Sequence, residues 1–203
     1  LYKRLGELRN TETANASGLW VRTFAKSLEI DNMISTSFNI YGVEAGYDHK
    51  IDFDIPANVY VGVMSGYLST NDVKTKQDNG VRNGEGSGTA ISAGIYASAI
   101  YNSGWFVDAI ARTFFEDFEM NHYSANGLAI KHSPNRQVNA LSFEVGKQYR
   151  YFLDKSSIIL EPKVEVGYYF SGAKGYRTNM GNHINYGRTE SLNGKLALML
   201  GYN

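Results

Sequence analysis

The sequence predicts an all-β fold, namely an antiparallel transmembrane β-barrel with about eight strands present and a short α-helix in front of them. Three observations predict this fold. Eight stretches alternate apolar and polar residues with period two. Short and long connections alternate between these stretches. The composition combines 15 Tyr and 21 Gly with only 3 Pro, which suits strands that carry aromatic belts better than a helical bundle.

The connections between the alternating stretches are of two kinds. The short ones are DIPAN (54–58), NSG (102–104) and DKSS (154–157), and the long polar ones cover 71–88, 124–137 and 171–190. Outer-membrane barrels place short turns at one end and long loops at the other. A soluble sandwich has no reason to do so. The stretches themselves are 18–30, 37–52, 57–72, 87–101, 104–123, 138–153, 156–171 and 190–203.

The two faces of each stretch differ in polarity. In 156–171, alternate residues from Ile158 to Phe170 are apolar, whereas Glu161, Lys163 and Glu165 share the opposite face. A soluble antiparallel sheet shows the same alternation, so the strand ends decide between the two. Aromatic residues stand near the ends of the apolar faces, where a membrane barrel carries its interfacial girdles. These residues are Tyr47, Tyr101, Trp105, Tyr151, Tyr168, Phe170 and Tyr202.

The first ten residues, LYKRLGELRN, have the pattern of a short amphipathic helix. Leu1, Leu5 and Leu8 fall on one helical stripe, and charged residues surround them. An isolated helix of this length is marginal in water, because nucleation costs more than a few backbone hydrogen bonds return. We therefore expect another part of the protein to hold it.

Composition excludes several functional classes. Lys plus Arg and Asp plus Glu both number 20, so no net charge indicates a nucleic-acid partner. The chain has no Cys, which excludes disulfide frameworks and thiolate metal sites. No run of 18 apolar residues occurs, so no helical membrane span is predicted. The four His residues lie in separate segments, and we expect neither a metal site nor a cofactor. We expect a monomer.

Several segments, in order and spacing, resemble a known family. They are LYKRLGELR, GLWVRTF (18–24), SFNIYGVEAGYDHKI (37–51), NVYVGVMSGYLSTND (58–72), GTAISAGIYASAIYNSGWFVDAIART (88–113) and EVGKQYRYFLDKSSIILEPKVEVGY (144–168). Together they resemble the C-terminal translocator of autotransporters, the type V secretion system of Gram-negative bacteria. The resemblance implies a barrel in the bacterial outer membrane that enables secretion of an N-terminal passenger to the cell surface. It also implies that 1–17 is a luminal helix with its linker and that 18–203 is the barrel domain.

The chain departs from the family pattern at its end. The family barrel has twelve strands and normally finishes on an aromatic residue that the barrel-assembly machinery reads. Here eight strands are counted, and the last residue is Asn203. We therefore expect a C-terminally incomplete barrel. The partners that the resemblance implies are outer-membrane lipid, the protein's own passenger and the assembly machinery.

Three acidic residues stand on the polar faces of successive stretches. They are Asp108 in FVDAIA, Glu144 in FEVGK and Glu165 in PKVEVG. In self-cleaving members of the resembled family, acidic residues at matching positions surround an asparagine of the luminal helix. That asparagine cyclises onto its own backbone carbonyl and releases the passenger. The resemblance thus implies a catalytic role for these three carboxylates in autocleavage at an upstream Asn.

A structural role is the alternative for the same polar faces. Charged lumen residues are ordinary in barrels, and carboxylates can pair with the cations of the opening helix. On this interpretation the contacts between lumen and helix involve Lys3, Arg4, Arg9, Glu44 and Arg112.

Two other functional classes remain open from the sequence. One is a small outer-membrane barrel of eight strands whose long loops bind ligands or adhere to surfaces. Eight strands leave too narrow an interior for a helix, so the opening segment favours the translocator. The other is an enzyme that acts only on itself, through the autocleavage described above.

Overall fold

Strands dominate the part of the chain that the structure, a computed structural model, describes. That part comprises residues 18–31, 34–77, 82–123, 128–153 and 156–202. It contains twelve strands and no helix. The predicted opening helix and its linker lie outside the described residues, as does Asn203. No helix in the described ranges is long and apolar enough to cross a membrane.

The described part of the chain forms twelve strands in sequence. They are β1 (Gly18–Ile30), β2 (Ile34–Ile51), β3 (Ala57–Gln77), β4 (Arg82–Tyr101), β5 (Trp105–Tyr123), β6 (Ala129–His132), β7 (Asn135–Lys147), β8 (Tyr149–Leu153), β9 (Ser156–Ser171), β10 (Lys174–Arg177), β11 (His183–Tyr186) and β12 (Thr189–Tyr202). Eight of them are long, and they correspond to the eight predicted stretches.

The long strands form one antiparallel sheet in the order β1-β2-β3-β4-β5-β7-β9-β12. Each strand pairs with its neighbour in sequence, as in an up-and-down barrel. The short strands β6 and β8 pair with β5 and β9, while β10 and β11 form a separate hairpin. Among the described strands no pairing joins β1 to β12. The sheet is therefore a half-barrel with two open edges.

Strand pairing extends into regions that the sequence predicted as long loops. In the predicted loop 71–88, β3 continues to Gln77 and β4 already begins at Arg82. A register shift between Thr70 and Val73 accompanies this extension, and Asp72 has a φ of 55° there. Such a bulge lets a hairpin bend beyond the regular sheet. The alternation prediction failed in this segment because a hairpin that is polar on both faces carries no period-two signal.

The two faces of the sheet differ as predicted. Leu196 is 82% exposed on the outer face of β12, whereas Tyr60 and Glu161 are fully buried on the inner face. The Trp20 indole N–H donates to the Tyr96 hydroxyl at 2.9 Å, which links β1 to β4 across the inner face. Because side chains bridge strands that are not neighbours, the inner face is the concave one.

Glycines lie opposite aromatic rings on the inner face. In five cross-strand pairs, a Cβ added to the glycine would overlap the ring of the residue directly across from it. Each ring therefore lies flat over a glycine instead of pointing away from the sheet. The pairs are Trp20–Gly46, Phe24–Gly42, Tyr96–Gly62, Phe106–Gly146 and Phe118–Gly88.

The outer face carries an apolar band of membrane thickness. On β5 it extends from Trp105 to Phe115, and both rings are about half exposed. The ten steps from Trp105 to Phe115, at a rise of roughly 3.3 Å each and a tilt of roughly 40°, span roughly 25 Å, the height of the lipid-facing band in outer-membrane barrels.

A clasp of short strands lies at the long-loop end of the sheet, which is the end with the connections 78–81, 124–128 and 172–188. The Asn179 amide donates to the Lys131 carbonyl, and the Lys131 amide donates to the Asn179 side chain, both at 3.0 Å. The rings of His122, His132 and Tyr176 stack in sequence with centroids 4.9 and 5.0 Å apart. These contacts join β5, β6 and the β10–β11 hairpin.

Acid should open this clasp. Burial, together with the neighbouring His122 side chain, lowers the pKa of His132 below its ordinary value of 6.5. The unfolded segment thus binds more protons than the folded one below that pH, so stability is lost progressively as the pH falls from about 6.5 to the lower pKa of the folded state. Intrinsic-rate-corrected hydrogen exchange at the Lys131 and Asn179 amides should accelerate several-fold between about pH 7.5 and about pH 5.5.

His132→Phe keeps a ring in the stack and should abolish this pH dependence. His49→Phe changes an exposed histidine at the opposite end and should leave it intact. Equal acceleration in the His132→Phe protein would show that another group controls the clasp.

Candidate functional site on the inner face

One cross-strand row of the inner face carries most of the predicted site. Strand register places Asp108 directly opposite Glu144, and Glu144 directly opposite Glu165. The three carboxylates that the sequence singled out are therefore adjacent. The whole row is Lys50, Tyr60, Ser98, Asp108, Glu144, Glu165 and Lys195.

Each of the three carboxylates has its own partner. Asp108 accepts a hydrogen bond from the Ser98 hydroxyl at 2.5 Å. The Lys163 ammonium lies 3.3 Å from Glu144, and the Lys195 ammonium lies 3.9 Å from Glu165. Like charges directly opposite each other destabilise a sheet, and these partners offset that repulsion. Asp108 and Glu144 are each only 2% exposed, so the compensation operates away from water.

A second charged cluster lies nearer the long-loop end. Glu44 is buried and pairs with both Arg22 and Arg112. Arg112 also donates to the Ser92 hydroxyl at 2.6 Å. The Nη1 atom of Arg22 and the Nε atom of Arg112 have no hydrogen-bond partner within the described residues. This cluster thus holds two guanidinium groups against one carboxylate.

An apolar hollow of about 490 Å³ follows at the long-loop end of the inner face. The ion pair between Arg136 and Glu116, at 2.7 Å, lies at its edge. The inner face therefore changes from charged to apolar towards this end. Its apolar lining is Phe38, Ile40, Leu68, Val73, Ala90, Phe114, Phe118, Met120, Val138 and Tyr169.

The predicted contacts between lumen and helix divide into two groups. Glu44 and Arg112 pair with each other, so both already have a partner within the sheet. Lys3, Arg4 and Arg9 lie outside the described residues.

Sequence reasoning missed several members of the site. Lys163 contacts both Glu144 and Glu161, and Arg22 contacts Glu44. Asp48 accepts a hydrogen bond from the Tyr96 hydroxyl. Period-two parity puts these residues on polar faces, but parity alone does not say which side chains meet across the sheet.

The described residues contain no group of three or more side chains able to hold a metal ion. The adjacent carboxylates hold lysine and hydroxyl partners instead. This arrangement can orient a polar group or exchange a proton with it.

A sequence model of the autotransporter β-domain family matches residues 19–203. The chain belongs to this family. Among curated relatives, the pertactin autotransporter of Bordetella parapertussis is 29% identical over 205 residues, covering 99% of this chain and 21% of that protein. The BrkA autotransporter of Bordetella pertussis is 26% identical over 203 residues, covering 99% and 19%. The chain thus spans about a fifth of the length of these two relatives.

Solved structures agree with this autotransporter β-domain fold. The β domain of the Bordetella autotransporter BrkA superposes with a TM-score of 0.76 at 24% identity, covering 92% of this chain and 70% of that chain. The transport unit of AIDA-I from Escherichia coli gives a TM-score of 0.60 at 14% identity, covering 98% and 82%. The prediction of an antiparallel autotransporter barrel is confirmed, and the open sheet edges do not favour the small eight-stranded barrel.

The buried Glu44 cluster should dominate the stability of the β-domain's inner face. Glu44→Gln leaves the buried Arg112 and the partly buried Arg22 without a counter-charge and should cost about 3 kcal/mol of unfolding free energy. Glu116→Gln breaks a more exposed ion pair and should cost less than about 1 kcal/mol. Urea unfolding in lipid vesicles measures both values. Equal losses would contradict the difference in burial on which this prediction depends.

Proposed function

We propose that this β-domain translocates an N-terminal passenger across the bacterial outer membrane to the cell surface. The observation that carries the proposal is the opposite polarity of the two faces of the same eight strands. The apolar band matches lipid, while the buried charges on the concave face match a polar lumen. With this orientation the long-loop end faces the exterior.

The lumen wall suits a passage for polypeptide. Its carboxylates are engaged by partners in the same sheet, such as Lys163 for Glu144 and Arg112 for Glu44. A conducting wall must bind its cargo weakly enough to release it. Charges that are already paired attract a passing chain less than bare charges do, so the wall guides a passenger hairpin without trapping it.

The open edges of β1 and β12 require partners in the membrane. An unpaired strand edge in lipid leaves backbone N–H and C=O groups without hydrogen bonds. We propose that further strands close the barrel, as the twelve-stranded family pattern implies, and that the barrel-assembly machinery covers the edges during closure. The greater length of the BrkA β domain supports this, since the chain covers 70% of it.

The segment 1–17 is proposed to be the luminal helix with its linker. Its cations Lys3, Arg4 and Arg9 would approach the acidic row, in which Glu165 lies 3.9 Å from Lys195. Its leucine stripe would meet the apolar hollow near Phe114. Both contacts would stabilise a helix that is too short to be stable alone in water.

Autocleavage is a second candidate function, favoured by the adjacency of Asp108, Glu144 and Glu165 in one row. In this reaction the side-chain amide nitrogen of an upstream Asn attacks its own backbone carbonyl. The C–N peptide bond breaks, a succinimide forms, and the departing amine takes a proton. Buried carboxylates can orient the amide and transfer that proton.

Filling the lumen should block export. The Cβ of a side chain at Gly167 would lie 3.2 Å from the Tyr169 ring edge, so the wall can accept it with a small adjustment. Gly167→Trp should lower surface display of the passenger several-fold, because the indole occupies the passage. Val166→Trp places the same ring on the lipid face and should display normally. Flow cytometry of passenger on intact cells measures display.

Barrel assembly is checked in both variants by heat-dependent gel mobility. Normal display from a correctly assembled Gly167→Trp barrel would contradict passage along this wall.

Removing the acidic row should separate cleavage from export. If autocleavage occurs, Asp108→Asn and Glu144→Gln should leave the passenger covalently attached while surface display continues. Glu116→Gln, at the long-loop end, should cleave as the unaltered protein does. Mass spectrometry of the N-terminus of the mature barrel gives the result. A passenger that stays attached in the unaltered protein rules out the reaction.

A further inference from the structure

A cationic cavity lies at the long-loop rim of the sheet, at the upper end of the apolar band. Its volume is about 620 Å³, within the roughly 300–1,000 Å³ of small-molecule sites. Three of its lining residues are basic, namely Arg136, Lys174 and Arg188. The rest of the lining is Gln137, Asn139, Phe170, Ser171, Gly172 and Ala173.

The charges of this cavity are only partly neutralised. Arg136 pairs with Glu116, and Arg188 pairs with Glu190 while 66% of its side chain stays exposed. Lys174 is exposed and has no ion-pair partner within the described residues. Three cations therefore face two carboxylates. A guanidinium has five N–H donors, so the exposed Arg188 can donate further hydrogen bonds to an anion.

The cavity continues downward into an apolar groove on the lipid-facing side. It shares Gln137, Asn139 and Phe170 with a second cavity. That cavity shares Val63, Ile95, Ala111 and Leu141 with a third one of about 760 Å³. The three cavities are thus contiguous from the rim into the membrane band.

Small side chains make the groove deep along β5. Ala109 and Ala111 form its floor, and the larger Ile95, Leu141 and Phe143 rise beside them. At the junction with the cationic cavity, the Thr113 hydroxyl donates to the Asn139 side-chain oxygen at 2.9 Å. This bond pairs the two polar groups just inside the upper end of the apolar band.

We propose that this outer-face groove binds one phosphorylated lipid of the external leaflet. The phosphate lies between Lys174 and Arg188, with Arg136 turned to Glu116 on the inner side of the rim, and an acyl chain lies in the alanine-floored groove along β5. Charge complementarity identifies the head group as anionic, and the continuous apolar groove beneath it identifies an acyl chain. The inference depends on the membrane orientation given under the proposed function.

Free phosphate and a zwitterionic lipid each match only one of the two parts of this site, the cationic cavity or the apolar groove. Inorganic phosphate leaves the groove empty, and a choline head group brings a cation towards three others. Each basic residue near a membrane surface raises the affinity for anionic lipids about fivefold. Lys174 is the cation with the least local compensation, so its removal is the sharpest test of the head-group site.

The test uses the full-length protein folded in detergent micelles. Native mass spectrometry follows binding of phosphatidic acid and of phosphatidylcholine with the same acyl chains. Lys174→Gln should weaken phosphatidic acid binding about fivefold and leave phosphatidylcholine unchanged. Its matched control is Lys74→Gln, which removes an exposed cation at the same end of the sheet.

The groove is tested separately. Ala111→Phe, and Ala109→Leu as a second variant, should weaken binding of both lipids. Val43→Phe places the same ring elsewhere on the outer face and should have no effect. The proposal is overturned if Lys174→Gln matches its control, if both groove variants match theirs, or if inorganic phosphate displaces the lipid. If the unaltered protein prefers phosphatidic acid to phosphatidylcholine but exports no passenger, the lipid site is supported and the export proposal is refuted.

Discussion

The period-two alternation of side chains, fixed by strand register, is the constraint on which the rest of the structure depends. Phe143 and Glu144 are neighbours in the chain, yet one is half exposed on the lipid side and the other is buried inside. A slip of one residue would exchange them. It would also move all three charged residues of β9 into lipid, where charged substitutions cost up to about 2–4 kcal/mol. The lipid outside and the polar environment inside therefore both favour the correct register.

The same register produces the acidic row and requires its compensation. Because Asp108, Glu144 and Glu165 are aligned across three strands, their repulsion must be offset within the wall. Ser98, Lys163 and Lys195 provide that offset. A wall whose charges balance locally does not require an occupant of the lumen for its stability. Catalytic and purely structural roles for the row both depend on this geometry.

Much of this fold could be predicted from the sequence because the signal is local. All eight long strands and both faces follow from alternation within single strands. The pair Glu44–Arg112 could not be predicted, since Arg112 reaches Glu44 from β5 to β2 across the inner face. Strand tilt and sheet curvature decide such contacts. The clasp of β6 with the β10–β11 hairpin was also missed, because strands of four residues are too short to show a period.

Under the proposed export function, the aromatic–glycine pairs reconcile a packed wall with an open passage. A barrel wall gains packing energy from large rings, but rings that point inward would obstruct a passage. Trp20 and Tyr96 instead lie over Gly46 and Gly62 on the neighbouring strands. A ring that lies along the wall keeps its contact area and adds little thickness. The glycine thus supplies space beneath the ring, and the lumen keeps its width while the wall remains packed. Side chains placed in these gaps would raise the rings, so they would narrow the lumen even without adding charge or changing the register.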